Sequence, residues 1–274
     1  MSASRSLRSL RHLSHRPDGA RCRHQRHQGS GNTRPPARVT SEMSTIGIIG
    51  SGLIGATVAR LAVQGGHQVI LSNSREPRTL LPLVAALGPN ARAATPAEAA
   101  EAGDIVVVSV PLGALADIPP EPLAGKTVID TSNYYWQRDG HIDELDNREV
   151  TTSKYLQDRL PDSAVVKAFN NINFAHLGLL ARPAGDPERT SLIIAGDDKD
   201  AKAEVTTFLD SLGYSTLDAG PLSEGRRFDN GQPAYGRPYL TPDANPTDIL
   251  SMGSGRAATD EELRDALAAA ELPD

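Results

Sequence analysis

Apolar residues from position 43 onward alternate between two spacings. Short continuous apolar runs, typical of strands buried in a parallel sheet, alternate with segments that carry apolar residues at helical spacing. The predicted strands cover 45–50, 67–72, 104–111, 126–132, 164–171 and 190–197. The predicted helices cover 53–64, 78–87, 96–102, 152–160 and 201–213. This alternation predicts an α/β fold with a doubly wound, mostly parallel sheet.

The pattern changes after residue 220. Residues 221–257 are rich in Pro, Gly and Asp, which favours a meandering loop, and a last helix is predicted over 258–272. Thr259 and Glu262 have the spacing of a capping box at its start. We therefore expect a main domain over 43–220 and a loop-plus-helix extension over 221–274 that packs on the body or on a partner subunit.

The first 42 residues differ in charge from the rest. They hold nine Arg, one Asp and one Glu, a net charge of +7, whereas the whole chain of 274 residues carries −6. With few large apolar residues, this basic leader is expected to be disordered. It could be a targeting peptide, a basic arm for polyanions, or a leader that is not translated. We prefer the last explanation, because "MSTIGIIGSG" from Met43 places a natural start just before the first strand.

The overall composition is ordinary for a globular protein, with 39% hydrophobic and 23% charged residues. The single cysteine, Cys22, excludes an internal disulfide framework and a CxxC metal site. No apolar run reaches the roughly 18 residues of a membrane span. We expect a cytoplasmic protein that binds no membrane and, in its folded part, no nucleic acid. A homodimer is left open.

A glycine-rich turn follows the first predicted strand. Gly50-Ser51-Gly52-Leu53-Ile54-Gly55 has the form G-x-G-x-x-G, lies between an apolar strand and an amphipathic helix, and precedes a second strand at the expected distance. In this setting the first glycine permits a tight turn, the second admits a pyrophosphate and the third allows close helix–strand packing. The helix N-terminus then attracts the anion. The turn predicts a dinucleotide-binding domain of Rossmann type.

The residues after the second strand indicate which dinucleotide binds. The sequence "SNSREP" (72–77) has no acidic residue before Glu76, although NAD-binding domains usually place a carboxylate there. Ser72, Asn73 and Ser74 could donate hydrogen bonds to a 2′-phosphate, and Arg75 could form a charge-assisted pair with it. The segment therefore predicts NADP(H).

Five segments in order, "GIIGSGLIGATVARL", "SNSR", "VVVSVP", "VVKAFNN" and "DAGPL", resemble the NADPH-dependent reductases of coenzyme F-420, an 8-hydroxy-5-deazaflavin. The resemblance extends over roughly residues 45 to 228. It implies that the nicotinamide lies near Val110-Pro111 and near the segment Ala168-Phe169-Asn170. It also implies direct hydride transfer to the deazaflavin, with coenzyme F-420 as co-substrate.

Amide and aromatic side chains follow two of the later strands. Asn170 and Asn171 end a strand, where they could hold the carboxamide or substrate, or could simply form a turn. In the segment from Asn133 to Trp136, Tyr134 and its two aromatic neighbours could line a flat ring or fill space beneath a loop. We take Asn133, Tyr134 and Asn171 as substrate-binding candidates. Lys167 is expected to be an edge-exposed strand residue.

No motif for covalent or metal-dependent catalysis is present, so no catalytic residue and no metal site is predicted. Three functions remain: a deazaflavin:NADP oxidoreductase, an NADPH-dependent reductase of another small acceptor, and a non-enzymatic NADP(H) sensor. The first is the leading interpretation. A small-molecule substrate is expected in the first two cases.

Overall fold

The computed structural model describes residues 43–244 and 255–272, so the expectations for residues 1–42 lie outside the described part. Eight strands in this part form one sheet. They are β1 Thr45–Ile49, β2 Gln68–Ser72, β3 Ala91–Ala93, β4 Ile105–Val108, β5 Thr127–Asp130, β6 Ala164–Lys167, β7 Ser191–Gly196 and β8 Ser215–Asp218. All six predicted strands are present. The predicted α/β class with a doubly wound sheet is confirmed.

The strand order is β3-β2-β1-β4-β5-β6-β7-β8. Neighbouring strands are parallel except for β6 and β7, which run antiparallel. The order reverses direction between β1 and β4, so the loops that follow these two strands diverge to opposite faces of the sheet. Ile49 lies beside Ser72 of β2 on one side and Val108 of β4 on the other. The carboxyl ends of the central strands are therefore level, and they leave a crevice where such sheets bind ligands.

Helices cover both faces of the sheet. Within the described residues they are α1 Leu53–Gln64, α2 Leu81–Leu87, α3 Pro96–Ala102, α4 Trp136–Asp139, α5 Asp143–Asp146, α6 Thr152–Gln157, α7 Phe174–Leu179, α8 Lys199–Ser211 and α9 Asp260–Ala268. Short 3-10 turns cover Pro77–Leu80, Leu112–Asp117, Glu121–Leu123, Leu222–Phe228 and Arg237–Tyr239. The predicted capping box at Thr259 and Glu262 is formed, and it fixes the start of α9.

Among the described strands and α-helices, β3, β8, α4, α5 and α7 were not predicted from the sequence. Strand β3 has only three residues, "ARA", and strand β8 is the polar run "STLD" at the opposite edge of the sheet. Neither carries the continuous apolar run that marks the central strands. Helix α7 has six residues and is set by its N-cap, where the Asn173 side chain accepts a hydrogen bond from the Ala175 N–H at 2.8 Å.

The C-terminal extension packs on the sheet. Phe228, Tyr239, Leu263 and Leu267 are buried in the same apolar cluster as Ile46 of β1. Tyr239 is fully buried, and its hydroxyl donates a hydrogen bond to the Ser191 carbonyl at the start of β7. Residues 228–239 and α9 therefore share one core with the strands.

Lys167 is not edge-exposed, as the sequence suggested, but fully buried. Strand β6 lies between β5 and β7, so a side chain on either of its faces is covered. The ammonium Nζ pairs with Asp229 of the extension at 2.8 Å and donates to the Thr152 hydroxyl at 2.7 Å. It also donates to the Ser132 carbonyl at 3.1 Å. This buried ion pair joins the central sheet to the extension.

No helix in the described ranges has both the length and the apolar character needed to cross a bilayer.

Replacing Asp229 with Asn should destabilise the fold, because it leaves a buried ammonium without its counter-charge. Removing one member of a buried pair costs about 3 kcal/mol or more. The free energy of unfolding, measured by urea denaturation, should fall by about that amount. The matched control is Asp158→Asn, which removes a half-exposed carboxylate from its surface pair with Lys154 and should change stability by less than about 1 kcal/mol. Equal effects of the two variants would contradict the structural role assigned to the buried pair.

Candidate functional site

A cleft of about 370 Å³ lies at the carboxyl ends of the central strands. Its walls come from the loops after β1, β4, β5 and β6 and from the C-terminal extension. The lining residues are Gly52, Leu53, Ile54, Ser109, Val110, Pro111, Thr131, Ser132, Asn133, Tyr135, Arg138, Phe169, Asn170, Ile172, Asn173, Phe174 and Tyr235. The cleft thus brings together predicted residues from the glycine turn, from the Val-Pro turn and from the end of β6.

A side chain at each of the three glycines of the turn would meet different surroundings. Gly50 has a φ of 103°, and a Cβ there would lie 2.2 Å from the Ser109 carbonyl oxygen. A Cβ on Gly55 would lie 2.0 Å from the Gly50 carbonyl oxygen. A Cβ on Gly52, in contrast, meets nothing within 4 Å. The fold therefore requires Gly50 and Gly55, whereas Gly52 leaves open space in front of the α1 N-terminus.

That open space suits a phosphate group. Gly52 is the N-cap of α1 and supplies no side chain to the first turn. The first N–H groups of a helix have no intrahelical acceptor, and together with the helix dipole they favour an anion. Ser51, Leu53 and Ile54 lie around this N-terminus, as the sequence predicted for the cofactor-binding turn.

The segment after β2 shows which of its side chains are available to a ligand. Ser72 is not available, contrary to the sequence-based expectation, because it is fully buried and its hydroxyl donates to the Ile48 carbonyl at 2.9 Å. Asn73 shapes the loop instead of projecting from it. Its Oδ1 accepts from the Arg75 N–H at 2.9 Å and its Nδ2 donates to the Thr79 hydroxyl at 3.1 Å.

Ser74 and Arg75 are exposed at the tip of this loop. Within the described part of the chain, the Arg75 guanidinium has no ion-pair partner, whereas the neighbouring Arg78 pairs with Glu76 at 2.7 Å. The loop follows β2, and the Gly50 N–H donates to the Ser72 carbonyl at 3.1 Å. The loop that follows the strand next to the glycine turn therefore carries a cation with no ion-pair partner among the described residues.

Strand β6 ends in a left-handed residue. Phe169 has a φ of 64° although it is not glycine, and its side chain is fully buried. Backbone strain of this kind persists only where the surrounding structure enforces it, and it is concentrated at functional sites. The turn directs Asn170 into the cleft and Asn171 away from it.

Asn170 has a buried polar atom that has no hydrogen-bond partner among residues 43–244 and 255–272. Its side chain is 4% exposed; its Nδ2 donates to the Phe228 carbonyl at 2.9 Å and lies 3.3 Å from the Asn133 Oδ1. Its Oδ1 is buried without a hydrogen bond. Because a buried unpaired oxygen is unfavourable, this atom fits a donor that a ligand brings into the cleft.

Asn133 lines the cleft but holds Asn170 in place. Its Nδ2 donates to the Asn170 carbonyl at 2.8 Å, in addition to the contact between the two side chains. The loops after β5 and β6 are therefore joined at their tips. In this structure Asn133 positions Asn170, and a contact with a ligand would come in addition to that role.

Two predicted substrate-binding residues lie outside the cleft. Asn171 is fully buried, and its Nδ2 donates to the Ala234 carbonyl at 3.1 Å, so it anchors the extension and does not face a ligand. Tyr134 lines a neighbouring cavity of about 580 Å³, and its hydroxyl donates to Asp146 at 2.6 Å. Neither side chain lines this cleft, because the chain turns each one away from the strand end, and their assignment as substrate-binding residues stays a prediction.

Tyr135, Arg138 and Tyr235 also line the cleft. Tyr135 is one of the aromatic residues that the sequence suggested could line a flat ring, whereas Arg138 and Tyr235 were not among the sequence-based candidates. Arg138 makes two hydrogen bonds of 2.9 Å to the Asp139 carboxylate and one of 2.8 Å to the Asn133 carbonyl. Burial of Asp139 opposes its ionisation, but the hydrogen bonds from Arg138 and from the Tyr135 N–H outweigh it and lower the pKa of that carboxyl. Tyr235 lies in the Pro- and Gly-rich extension, where no periodic pattern marked it.

No group of three or more His, Cys, Asp or Glu side chains within the described ranges could hold a metal ion. The polar groups that face the cleft are instead amides, hydroxyls and one guanidinium. Together with the open space at Gly52, these groups fit a dinucleotide whose nicotinamide end reaches Asn170.

Comparison with known proteins agrees with this fit. Residues 45–134 match the family described as "NADP oxidoreductase coenzyme F420-dependent". The matched region contains the glycine turn, the loop after β2, the Val110-Pro111 turn and the start of the aromatic segment. A curated relative, Metalloreductase STEAP3 of Rattus norvegicus, is 31% identical over 199 residues. That match covers 70% of this chain, and the chain spans 37% of the relative's length.

Two solved structures share the architecture at somewhat lower identity. A hypothetical protein from Sinorhizobium meliloti is 28% identical with a TM-score of 0.61, covering 70% of this chain and 93% of the other. A protein from Arthrobacter sp. FB24 assigned as an "f420 dependent nadp-reductase" is 26% identical with a TM-score of 0.56. It covers 67% of this chain and 87% of its own.

Replacing Gly52 with Ala should separate ligand binding from folding. The added Cβ meets no protein atom, so the melting temperature should change by less than a few degrees, as expected for about 1 kcal/mol or less at an N-cap. It fills the space proposed for the pyrophosphate, so the affinity for the dinucleotide should fall at least tenfold, as measured by fluorescence titration. The comparison variant Gly55→Ala should lower the melting temperature markedly, because its Cβ collides with the backbone. Unchanged dinucleotide affinity in Gly52→Ala would contradict the assigned pyrophosphate position.

Proposed function

Residues 45–134 belong to the family of coenzyme F-420-dependent NADP oxidoreductases, and from this membership we propose that the chain transfers hydride between NADP(H) and a deazaflavin. The family is one of NADP-dependent oxidoreductases. The finer assignment, to coenzyme F-420 as the second substrate, is the proposal.

The unpartnered Oδ1 of Asn170 is the observation that carries the proposal. Asn170 lines the cleft together with the glycine turn and the Val110-Pro111 turn, and its Oδ1 is buried with no hydrogen-bond partner among the described residues. A nicotinamide carboxamide carries an N–H₂ group that could donate to this oxygen. Such a hydrogen bond would fix the rotation of the nicotinamide ring and so decide which face the second substrate meets.

The chain's own contribution to the reaction would be orientation. When bound, NADPH supplies the hydride itself. Pro111 lacks an N–H and has a fixed φ, so it offers a rigid apolar wall. Holding two rings in a reactive arrangement can remove several kcal/mol from a barrier without a side-chain acid or base.

Arg75 would select NADP(H) over NAD(H). Its guanidinium is exposed, fixed in charge and unpaired among the described residues, and it follows the strand that in dinucleotide-binding folds contacts the adenosine ribose. Ser74 lies beside it as a hydroxyl donor, and Asn73 holds the loop in shape by its bond to the Arg75 N–H. A 2′-phosphate would therefore meet one cation and at least one neutral donor.

A second candidate is an NADPH-dependent reductase of another small acceptor. The specific observation in its favour is the relative named as a metalloreductase, which is 31% identical over 199 residues. A non-enzymatic NADP(H) sensor is the third option. Such a protein would bind the dinucleotide but would not reduce an acceptor.

Arg75→Ala should weaken NADPH binding and leave NADH binding almost unchanged. Losing a hydrogen bond to a charged group corresponds to about 10- to 150-fold in affinity. Dissociation constants for the two dinucleotides, measured by fluorescence titration, provide the test. The matched control is Arg78→Ala, three residues away, whose guanidinium already pairs with Glu76. It should alter neither affinity by more than about twofold, as expected for a weak surface pair. An equal loss of NADPH and NADH affinity in Arg75→Ala would show that Arg75 does not recognise the 2′-phosphate.

Hydride transfer to F-420 should be direct and specific for one face of the nicotinamide. NADPH deuterated at one C4 position should pass its label to the deazaflavin, and the other isotopomer should not, as measured by mass spectrometry of the product. Asn170→Ala should lower turnover more than it weakens NADPH binding, because orientation is its main task. The control variant Asn90→Ala removes an amide at the amino-terminal side of β3, where it bonds to Gln68, and should leave turnover unchanged.

Tight NADPH binding without reduction of F-420 would contradict the assignment of a deazaflavin as the second substrate. Reduction of another acceptor in that case would favour the second candidate, and reduction of none would favour the sensor. Transfer of both labels, or loss of label to solvent, would exclude direct hydride transfer.

A further inference from the structure

Two tyrosines that are 100 residues apart in sequence meet in the cleft. The hydroxyls of Tyr135 and Tyr235 are 2.5 Å apart, and both residues line the cleft. Tyr135 comes from the loop after β5, and Tyr235 comes from the C-terminal extension. The pair therefore lies on the wall made by these two segments, whereas the glycine turn and the Val110-Pro111 turn make the wall that follows β1 and β4.

Backbone contacts fix both tyrosines. The Tyr135 N–H donates to Asp139 at 3.0 Å, and the Arg138 guanidinium lies 5.1 Å from the centre of the Tyr135 ring. On the other side, the Tyr235 N–H donates to the Gln232 carbonyl at 3.0 Å, and the next N–H, of Gly236, donates to the Asn171 carbonyl at 2.9 Å. The two hydroxyls are thus held in position before any substrate arrives.

One of the two hydroxyl protons of the pair is not used in the hydrogen bond between the two tyrosines. Each tyrosine hydroxyl carries one proton, and one hydrogen bond between two hydroxyls uses only one of them. In the part of the chain that the structure describes, neither hydroxyl has another hydrogen-bond partner. One O–H is therefore available to a ligand in the cleft. Burial, and then the bond to Tyr135, raises the pKa of Tyr235, so this hydroxyl remains a neutral donor near neutral pH.

Other hydroxyls on the cleft wall either donate hydrogen bonds to the protein itself or lie beside the glycine turn. The Thr131 hydroxyl donates to the Val108 carbonyl at 3.2 Å, and the Ser132 hydroxyl donates to Asp130 at 2.5 Å. Ser109 borders the glycine turn, where its carbonyl would collide with a Cβ on Gly50. The tyrosine pair is the donor best placed for a second substrate.

We propose that the Tyr135–Tyr235 pair is the polar anchor of the hydride acceptor, and that it donates a hydrogen bond to a carbonyl oxygen conjugated with the ring atom that receives the hydride. This inference rests on the proposed function, since it concerns the second substrate of the same cleft. It assigns the C-terminal extension to the active site. It also defines the acceptor class as a planar conjugated carbonyl compound, to which deazaflavins and flavins both belong.

The electron balance explains why such a donor helps. The C4–H bond of NADPH breaks with its electron pair and NADP⁺ remains, while a C–H bond forms on a deazaflavin or an N–H bond forms on a flavin. The displaced π electrons of the acceptor move to its conjugated oxygen, which becomes negatively charged and later takes a proton from water. A fixed hydrogen-bond donor at that oxygen stabilises the charge as it develops. The tyrosines keep their own protons throughout.

The test uses the full chain with three variants, Tyr135→Phe, Tyr235→Phe and the double variant. Each single change should lower kcat/KM for the acceptor about 100- to 1,000-fold, as for other fixed donors to a developing negative charge. NADPH affinity should stay within twofold. Because the two hydroxyls act as one unit, the double variant should lose no more than the worse single variant. F-420 and FMN serve as acceptors.

The matched control is Tyr155→Phe, which removes the hydroxyl of a tyrosine on α6 whose ring contacts Arg159 at the surface. It should leave kcat/KM unchanged, and melting temperatures should show that all variants fold. Unchanged acceptor kinetics in both single variants would overturn the proposal, as would a parallel loss of NADPH affinity.

The two acceptors separate this inference from the proposed function. If the wild-type protein reduces FMN but not F-420, the deazaflavin assignment fails, and the variants still test the anchor with FMN. If the wild-type protein reduces neither, binding of each oxidised acceptor to the NADP⁺-loaded protein is measured by its fluorescence. Weaker binding in Tyr235→Phe would then support the anchor, and equal binding, or no binding to the wild-type protein, would overturn it.

Discussion

The left-handed turn at Phe169 is the constraint on which the cleft depends. Because the backbone reverses there, two successive amides point in opposite directions, Asn170 into the cleft and Asn171 into the core beneath the extension. The first amide is held by Asn133 and by the Phe228 carbonyl, and the second by the Ala234 carbonyl. One turn therefore joins the end of β6 to the loop after β5 and to the extension. A residue with ordinary backbone angles at 169 would uncouple all three.

Electrostatics divides the site into two parts. At the glycine turn and Arg75 the chain offers a helix N-terminus and an unpaired guanidinium, both suited to phosphate groups. At the end of the cleft near Asn170 the charged groups are already paired, Arg138 with Asp139 and Lys167 with Asp229. The groups left for a ligand there are neutral amides and hydroxyls. This division suits a cofactor that is anionic at one end and a reaction that moves electrons between uncharged rings.

The sequence predicted the sheet well because its central strands are covered on both faces. Such strands need continuous apolar runs, and "DIVVVSVP" shows the pattern clearly. The edge strands β3 and β8 have one neighbour each and tolerate polar residues, so no run marked them. The glycine turn could be recognised in the sequence because its spacing follows from backbone geometry. A larger residue is excluded at Gly50 and at Gly55, since a Cβ there would lie 2.2 or 2.0 Å from a backbone carbonyl oxygen.

The direction of single side chains was harder to predict. Ser72, Asn171 and Tyr134 follow strands as binding residues do, but local backbone angles and hydrogen bonds turn them into the protein or toward a neighbouring cavity. Lys167 appeared to belong to an exposed strand because the ion-pair partner that permits its burial, Asp229, lies 62 positions later in a loop. Tyr235 could not be identified for the same reason, since only the folded chain brings it to Tyr135.

The wall that Tyr235 contributes has a consequence for the order of assembly. The glycine turn and its flanking strands make contacts over short sequence distances, and such contacts form early in folding. The hydroxyl pair spans 100 residues, so a chain growing from the ribosome cannot close the cleft until residue 235 has emerged. Synthesis therefore passes through a stage in which the glycine turn has been made and the part of the cleft wall that contains Tyr235 is still missing. A prematurely terminated chain would retain the dinucleotide turn without a complete site.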